Sequence, residues 1–101
     1  MPRKIYCAYI LASLSGTLYV GSTDNLITRV RQHKDGTFEG FTKRYKVNRL
    51  VYFEVFTDGR AAALREKQIK KYNRAKKIAL IKKDNPQWKD LSGEIAQAVL
   101  L

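Results

Sequence analysis

Short apolar blocks occupy the first half of the chain, and looser stripes with a helical period follow in the second. Residues 5–12, IYCAYILA, are aliphatic and aromatic nearly throughout and run into a Ser-Gly pair at 15 and 16, which predicts a strand and a turn. Residues 17–21, TLYVG, predict its hairpin partner. Ser22, Thr23 and Asp24 offer helix N-caps, and over 25–34 Leu26, Val30 and His33 recur on one side of a helix. Residues 35–48 contain Gly36 and Gly40 and keep no period, so they read as a loop. Residues 49–56, RLVYFEVF, carry the strongest strand pattern. The TDG turn at 57–59 opens a helix over 60–72, and Asn73 caps or breaks before another over 74–83. Asp84-Asn85-Pro86 ends the helical run, because proline cannot continue it. The tail, QWKDLSGEIAQAVLL, has the vaguest pattern and reads as a short helix that docks or frays.

The order β-β-α-β-α-α predicts a small α+β (α/β) domain with a mostly antiparallel three-stranded sheet flanked by helices. A chain of 101 residues supports one modest core. It contains no repeat, linker or low-complexity stretch, and no apolar run approaches the about 18 residues of a membrane span. The basic start leads into a strand pattern holding Tyr6, Tyr9 and Ser13 without a cleavage site, which argues against a secretory leader. The single Cys7 excludes an internal disulfide or a cysteine metal cluster, and fits a reducing, cytoplasmic compartment.

Charge changes the picture most. Twenty Lys and Arg against nine Asp and Glu give a net charge of +11. Such a surface attracts phosphate backbones and gains from counterion release. No segment has the broad aromatic face of a membrane-surface helix, so nucleic acid, DNA or RNA, is the favoured partner.

Against that background Glu66 stands out. Residues 64–83 hold nine Lys or Arg, and Glu66 is the only acid before Asp84. One reading is a surface i,i+4 pair with Lys70. The other is a carboxylate holding a hard divalent cation against a phosphate, since magnesium typically takes only one or two protein carboxylates. Tyr9 and Tyr19 read either as sheet packing or as phenols that orient a water; an unperturbed phenol is a poor base at neutral pH. Arg29 and His33 lie four apart and share a helix face. Arg29 is either a solvated charge or a planar fork for developing phosphoryl charge, and His33 either a structural histidine or a site residue. Phosphate-cradling glycine loops, Ser-His-Asp arrangements and histidine-rich zinc sites are lacking.

These residues together resemble the GIY-YIG endonuclease superfamily, in particular its small stand-alone bacterial members. CAY at 7–9 stands where the family has Gly-Ile-Tyr, and YVG at 19–21 where it has Tyr-Ile-Gly. DNLITRV at 24–30 resembles the helix with the catalytic arginine, which falls on Arg29, and His33 follows. LVYFEVF at 50–56 resembles the third strand. AALREKQIKKYNRAKKIALI at 62–81 resembles the helix with the metal-binding glutamate, which falls on Glu66, and the later asparagine falls on Asn73. Cys7 and Ala8 depart from the first motif, and Ser22 and Thr23 stand where some relatives carry a lysine.

The resemblance implies a nuclease domain over 1–85, with 86–101 an extension too short to be a separate domain. It implies Mg2+ or Mn2+ on Glu66 and one-metal hydrolysis of a DNA phosphodiester, in repair, recombination or processing. Tyr19, with Tyr9 or His33, would align the water, and Arg29 would stabilise the transition state. Gly21 would let the backbone approach the phosphate or metal. Lys43, Arg44, Lys46, Lys67, Lys70, Lys71, Asn73, Arg74, Lys76 and Lys77 would grip branched or single-stranded DNA. The alternatives are a catalytically silent nucleic-acid-binding module, or a nuclease subunit that needs a partner protein; a homodimer is the other assembly to expect.

Overall fold

The computed structural model describes residues 4–37 and 40–95. The basic start and the last part of the tail, 96–101, lie outside the described residues. Strands β1 (Tyr6–Ala12) and β2 (Leu18–Thr23) lead into helix α1 (Leu26–Lys34) and a short α2 (Phe41–Arg44). Strand β3 (Arg49–Phe56) is followed by α3 (Gly59–Lys70), α4 (Arg74–Asp84) and a 3-10 turn, Leu91–Gly93. The sheet is antiparallel, in the order β2-β1-β3.

The central strand explains the longest apolar block. β1 is buried from Cys7 to Ala12 because helices or loops cover both of its faces. Alternate side chains divide it between two clusters. Cys7, Tyr9 and Leu11 pack with Leu26 and Val30 of α1, Val47, Leu50 and Ile95. Ile10 and Ala12 pack with Val20, Val51, Tyr52, Ile69 of α3 and Ile81 of α4. Strand β3 departs from simple alternation. Ile10 pairs with Tyr52 but Leu11 with Leu50, so Val51 is the extra residue of a β-bulge. The bulge turns the consecutive Val51 and Tyr52 into the second cluster, while Leu50 belongs to the first and Phe53 packs against it.

The register also sets Tyr9 opposite Gly21. The Tyr9 phenol lies across the Gly21 backbone: a Cβ at position 21 would stand 2.6 Å from its Oη. Glycine is therefore required there by a close approach within the sheet, before any ligand is considered.

Three local expectations need correction. The loop over 35–48 contains α2, one turn closed by Arg44 N–H on Gly40 O at 2.9 Å. The cap of α1 is Asn25, whose side chain accepts from Thr28 N–H at 3.1 Å; Thr23 supports it by accepting from Asn25 N–H at 3.0 Å. Strand β2 accordingly runs two residues past the expected end, to Thr23. Asn73 does cap α4, accepting from Lys76 N–H at 2.8 Å.

Residues 85–95 dock along β3, an edge strand whose backbone groups would otherwise be open to pairing with another chain. Buried Asn85 donates to Val51 O at 3.1 Å and to Lys89 O at 2.8 Å, and accepts from Lys89 N–H at 2.9 Å. Leu50 N–H donates to Asp90 at 3.3 Å, and Arg49 donates to Trp88 O. Lys34 of α1 reaches Asp90 at 2.5 Å, tying the segment to the opposite layer.

Two stability measurements check these contacts. Asn85→Ala removes three hydrogen bonds, one of them to the carbonyl of buried Val51. It is expected to lower unfolding free energy in urea by about 2–3 kcal/mol, where an exposed asparagine loses a few tenths. Gly21→Ala forces a methyl group against the Tyr9 phenol and is expected to lose about 1–3 kcal/mol by the same measurement. Adding Tyr9→Leu should recover part of that loss; an unchanged Gly21→Ala protein would contradict the close approach.

Candidate active site

Tyr9 enters from the central strand and is 1% exposed. Tyr19 lies two residues before Gly21 on β2 and so projects to the same face as Tyr9. Their ring centroids are 6.3 Å apart. His33, in the last turn of α1, completes the group at 5.5 Å from Tyr19 and 6.3 Å from Tyr9. Its Nδ1 lies 3.1 Å from the buried Thr42 Oγ1 of α2, so the turn absent from the sequence reading anchors the imidazole. Arg29 sits one turn earlier on α1, half-buried.

Electrostatics separates these groups. Burial pushes the Tyr9 phenol well above its ordinary pKa, and neighbouring Tyr19 and Glu66 act in the same direction. Arg29 opposes them without prevailing. Tyr9 is therefore a protonated phenol at neutral pH, able to donate a hydrogen bond and unsuited to take a proton. Burial, and then the Arg29 charge, hold the His33 pKa below its usual value, so the imidazole is neutral at pH about 7.

Glu66 comes from α3, on the other side of the sheet. Ser22 follows Gly21 on β2, so it points to the face opposite the tyrosines, and its hydroxyl donates to Glu66 Oε1. Lys70, one turn along α3, lies 2.6 Å from Oε2. Burial alone would raise the Glu66 pKa; the bonds from Lys70 and Ser22 outweigh it, and the net shift is downward. Glu66 is thus an ionised carboxylate at neutral pH. The residues singled out from the sequence form two groups, Tyr9, Tyr19, Arg29 and His33 on one face and Glu66 on the other. They meet across edge strand β2, close enough for both Arg29 and Glu66 to act on Tyr9.

The donor set fits a hard cation of the one-carboxylate kind. Among the described residues no three His, Cys, Asp or Glu side chains converge. Glu66 supplies an anionic oxygen beside the Ser22 hydroxyl, and magnesium typically completes such a sphere with water and phosphate oxygens. Lys70 occupies one carboxylate oxygen, but its side chain is 53% exposed and can swing aside, whereas Glu66 is 21% exposed and held by Ser22.

The expected nucleic-acid contacts fall in two regions. Lys43 and Arg44 lie on α2, with Lys46 just after it. Lys67, Lys70, Lys71, Arg74, Lys76 and Lys77 line the junction of α3 and α4. Within that set, Lys70 pairs with Glu66, Lys76 lies over the Tyr72 ring at 4.3 Å, and the Asn73 side chain is used as a cap. Arg74 reaches back to the β1–β2 turn at Gly16.

Ser22 as the partner of Glu66 and Thr42 as the partner of His33 emerge from the structure. For Ser22 a signal existed: in a strand where Tyr19 and Gly21 share a face, the next residue must face α3. For Thr42 there was none, since nothing in the sequence ties it to His33. A further polar cluster, in which Arg65 holds Glu54 at 2.9 Å while Tyr52 donates to the same carboxylate, braces α3 on β3.

Comparison with known proteins identifies the family. The family model described as the GIY-YIG catalytic domain matches residues 5–79. A UPF0213 protein of Pediococcus pentosaceus is 40% identical over 76 residues, covering 75% of this chain and 80% of its own. One from Clostridium perfringens is 37% identical over 87 residues, covering 86% and 94%. The solution NMR structure of a UPF0213 protein from Bacillus halodurans superposes with a TM-score of 0.56 at 24% identity, over 89% of this chain and 96% of that one. With that match over most of its length, this chain belongs to the GIY-YIG family, a family of nucleases.

Proposed function

We propose that the protein is a divalent-metal-dependent endonuclease that hydrolyses DNA phosphodiester bonds. The observation that carries this reading is the meeting at strand β2 of an ionised carboxylate, Glu66, with the Tyr9, Tyr19, His33 and Arg29 group. Glu66 is the residue to hold Mg2+ or Mn2+, and such an ion when bound neutralises charge on the scissile phosphate and its leaving oxygen. Tyr19, less buried than Tyr9, orients the attacking water. Tyr9 packs beside it as a neutral phenol, and neutral His33, anchored by Thr42, packs against the Tyr19 ring. Arg29 lends positive charge to the phosphoryl group as it passes through the transition state. The lysines and arginines of α2 and of the α3–α4 junction bind phosphates, which positions the DNA and carries little sequence information. Residues 1–85 form the nuclease domain, with 86–101 as its extension, acting in the cytoplasm in DNA repair, recombination or processing.

One observation favours a second reading. Lys70 and Ser22 already satisfy the Glu66 carboxylate, as in a nucleic-acid-binding module without chemistry or a subunit activated by a partner protein.

A nicking assay on supercoiled and branched DNA separates these readings. Cleavage is expected to need Mg2+ or Mn2+ and to stop on chelation. Glu66→Gln and Arg29→Ala should each slow it by about 10²–10³, the range for removing a preorganised charge or donor, with DNA binding retained. Wild-type cleavage by Glu66→Gln would refute the assignment, and binding without cleavage by wild type would select the second reading.

The pH dependence of stability tests the neutral state of His33, the chain's one histidine. Its folded pKa lies below the unfolded value of about 6.5. As pH falls through that value the unfolded chain takes up a proton that the folded chain refuses, so stability is lost on acidification and not on raising pH. The melting temperature is expected to fall between about pH 7 and pH 5, and His33→Gln should flatten that slope. An equally steep slope in the variant would exclude His33 as the cause.

A further inference from the structure

Away from the tyrosines, the β1–β2 turn and the segment after α2 enclose a pocket of about 290 Å³. Leu14 and Tyr45 line it together with Ser13, Ser15, Lys46 and Asn48. Leu14 is 89% exposed and Tyr45 47%, so two large apolar side chains meet solvent side by side. The turn that carries Leu14 is braced on either side of it: Ser13 Oγ accepts from Thr17 N–H at 2.9 Å and lies 2.9 Å from Ser15 Oγ.

Lys46 supplies an independent observation. Its φ of 54° lies in the left-handed region, just past the end of α2, where glycine is the usual residue. The chain keeps a lysine in a strained backbone position at the wall between two cavities. The second cavity, about 260 Å³, shares Lys46 and Asn48 with the first and is lined also by Lys43 and His33. His33 in turn touches Tyr19. The exposed Leu14–Tyr45 surface is thus joined, through lysines, to the tyrosine cluster. Arg44 lies over the Tyr45 ring at 5.5 Å, a second cation beside Lys46 at this pocket. A flat apolar surface rimmed by cations complements a nucleobase attached to its phosphates.

We propose that this pocket receives an unpaired base of the nucleic-acid substrate, stacked on Tyr45 and abutted by Leu14, with Lys46 on the adjoining phosphate. The proposal rests on the nucleic-acid reading above and deepens it. A base inside an uninterrupted duplex is already stacked and must be extruded at a cost before it can enter. The site therefore selects single strands, bulges, flaps and junctions over plain duplex.

The test is binding in chelator, by fluorescence anisotropy, so that cleavage plays no part. The probes are a fully paired duplex and the same duplex carrying one unpaired 2-aminopurine. Wild type is expected to prefer the bulged probe and to quench its 2-aminopurine. Tyr45→Ala and Leu14→Ala should weaken bulged-probe binding, Tyr45→Ala by about tenfold to a hundredfold, without changing duplex binding. Tyr45→Phe, which keeps the ring, should bind as wild type. Lys46→Gly should weaken binding while the melting temperature holds or rises, because glycine relaxes the left-handed backbone; a purely structural lysine would show no such split. Equal affinity of wild type for both probes, or equal loss on both in Tyr45→Ala, overturns the base pocket and leaves the nuclease reading standing. Wild type binding neither probe overturns both.

Discussion

Tyr9 lies across the backbone of Gly21 because the antiparallel register of β1 and β2 sets the two residues opposite each other and position 21 carries no side chain. Much else follows from this contact. It seats a bulky phenol at the centre of the sheet, with Tyr19 one alternation away and His33 packed on both rings. It also decides where Ser22 goes. The residue after Gly21 must face α3, and there it anchors Glu66. One strand thereby holds an aromatic group on one face and a carboxylate on the other, within the four residues from Tyr19 to Ser22.

The charge distribution gives the two faces different tasks. Glu66 stands in the most basic part of the chain, yet burial by itself would penalise its ionisation. Lys70 and Ser22 keep it ionised. On the opposite face Tyr9 and His33 both stay neutral: burial outweighs Arg29 at Tyr9, and at His33 the Arg29 charge reinforces burial. Arg29 therefore carries the positive charge of that group. A neutral aromatic group with one cation near it and one anion across the strand is compatible with the phosphodiester hydrolysis we propose.

Much of the fold was legible because it rests on local physics. The β-β-α-β-α-α order, the stripe of Leu26, Val30 and His33, and the Asn73 cap follow from side-chain period and capping chemistry. The short α2 was not legible, since a single turn has too few residues to show a period. Nor was the cap of α1: Ser22, Thr23, Asp24 and Asn25 are all capable acceptors, and only the length of β2 makes Asn25 the first residue outside the helix. The tail is the clearest case. Its pattern is weak because it adds no layer of its own, and its stability comes from Asn85 and Asp90 bonding an edge strand more than 30 residues earlier.

The residue types of the candidate site, and the order of elements that carries them, were determined by the sequence alone, since period, capping and motif spacing are local properties of the chain. Tertiary structure decided which of those residues meet. The Val51 bulge shifts β3 by one residue and sends Tyr52 to the α3 side, a choice made by strand pairing and invisible in the strand's own pattern. Whether Glu66 faced solvent or the sheet depended likewise on how α3 packs on β2. Contacts between residues 44 positions apart, such as Ser22 and Glu66, are set by the register and packing of the whole domain.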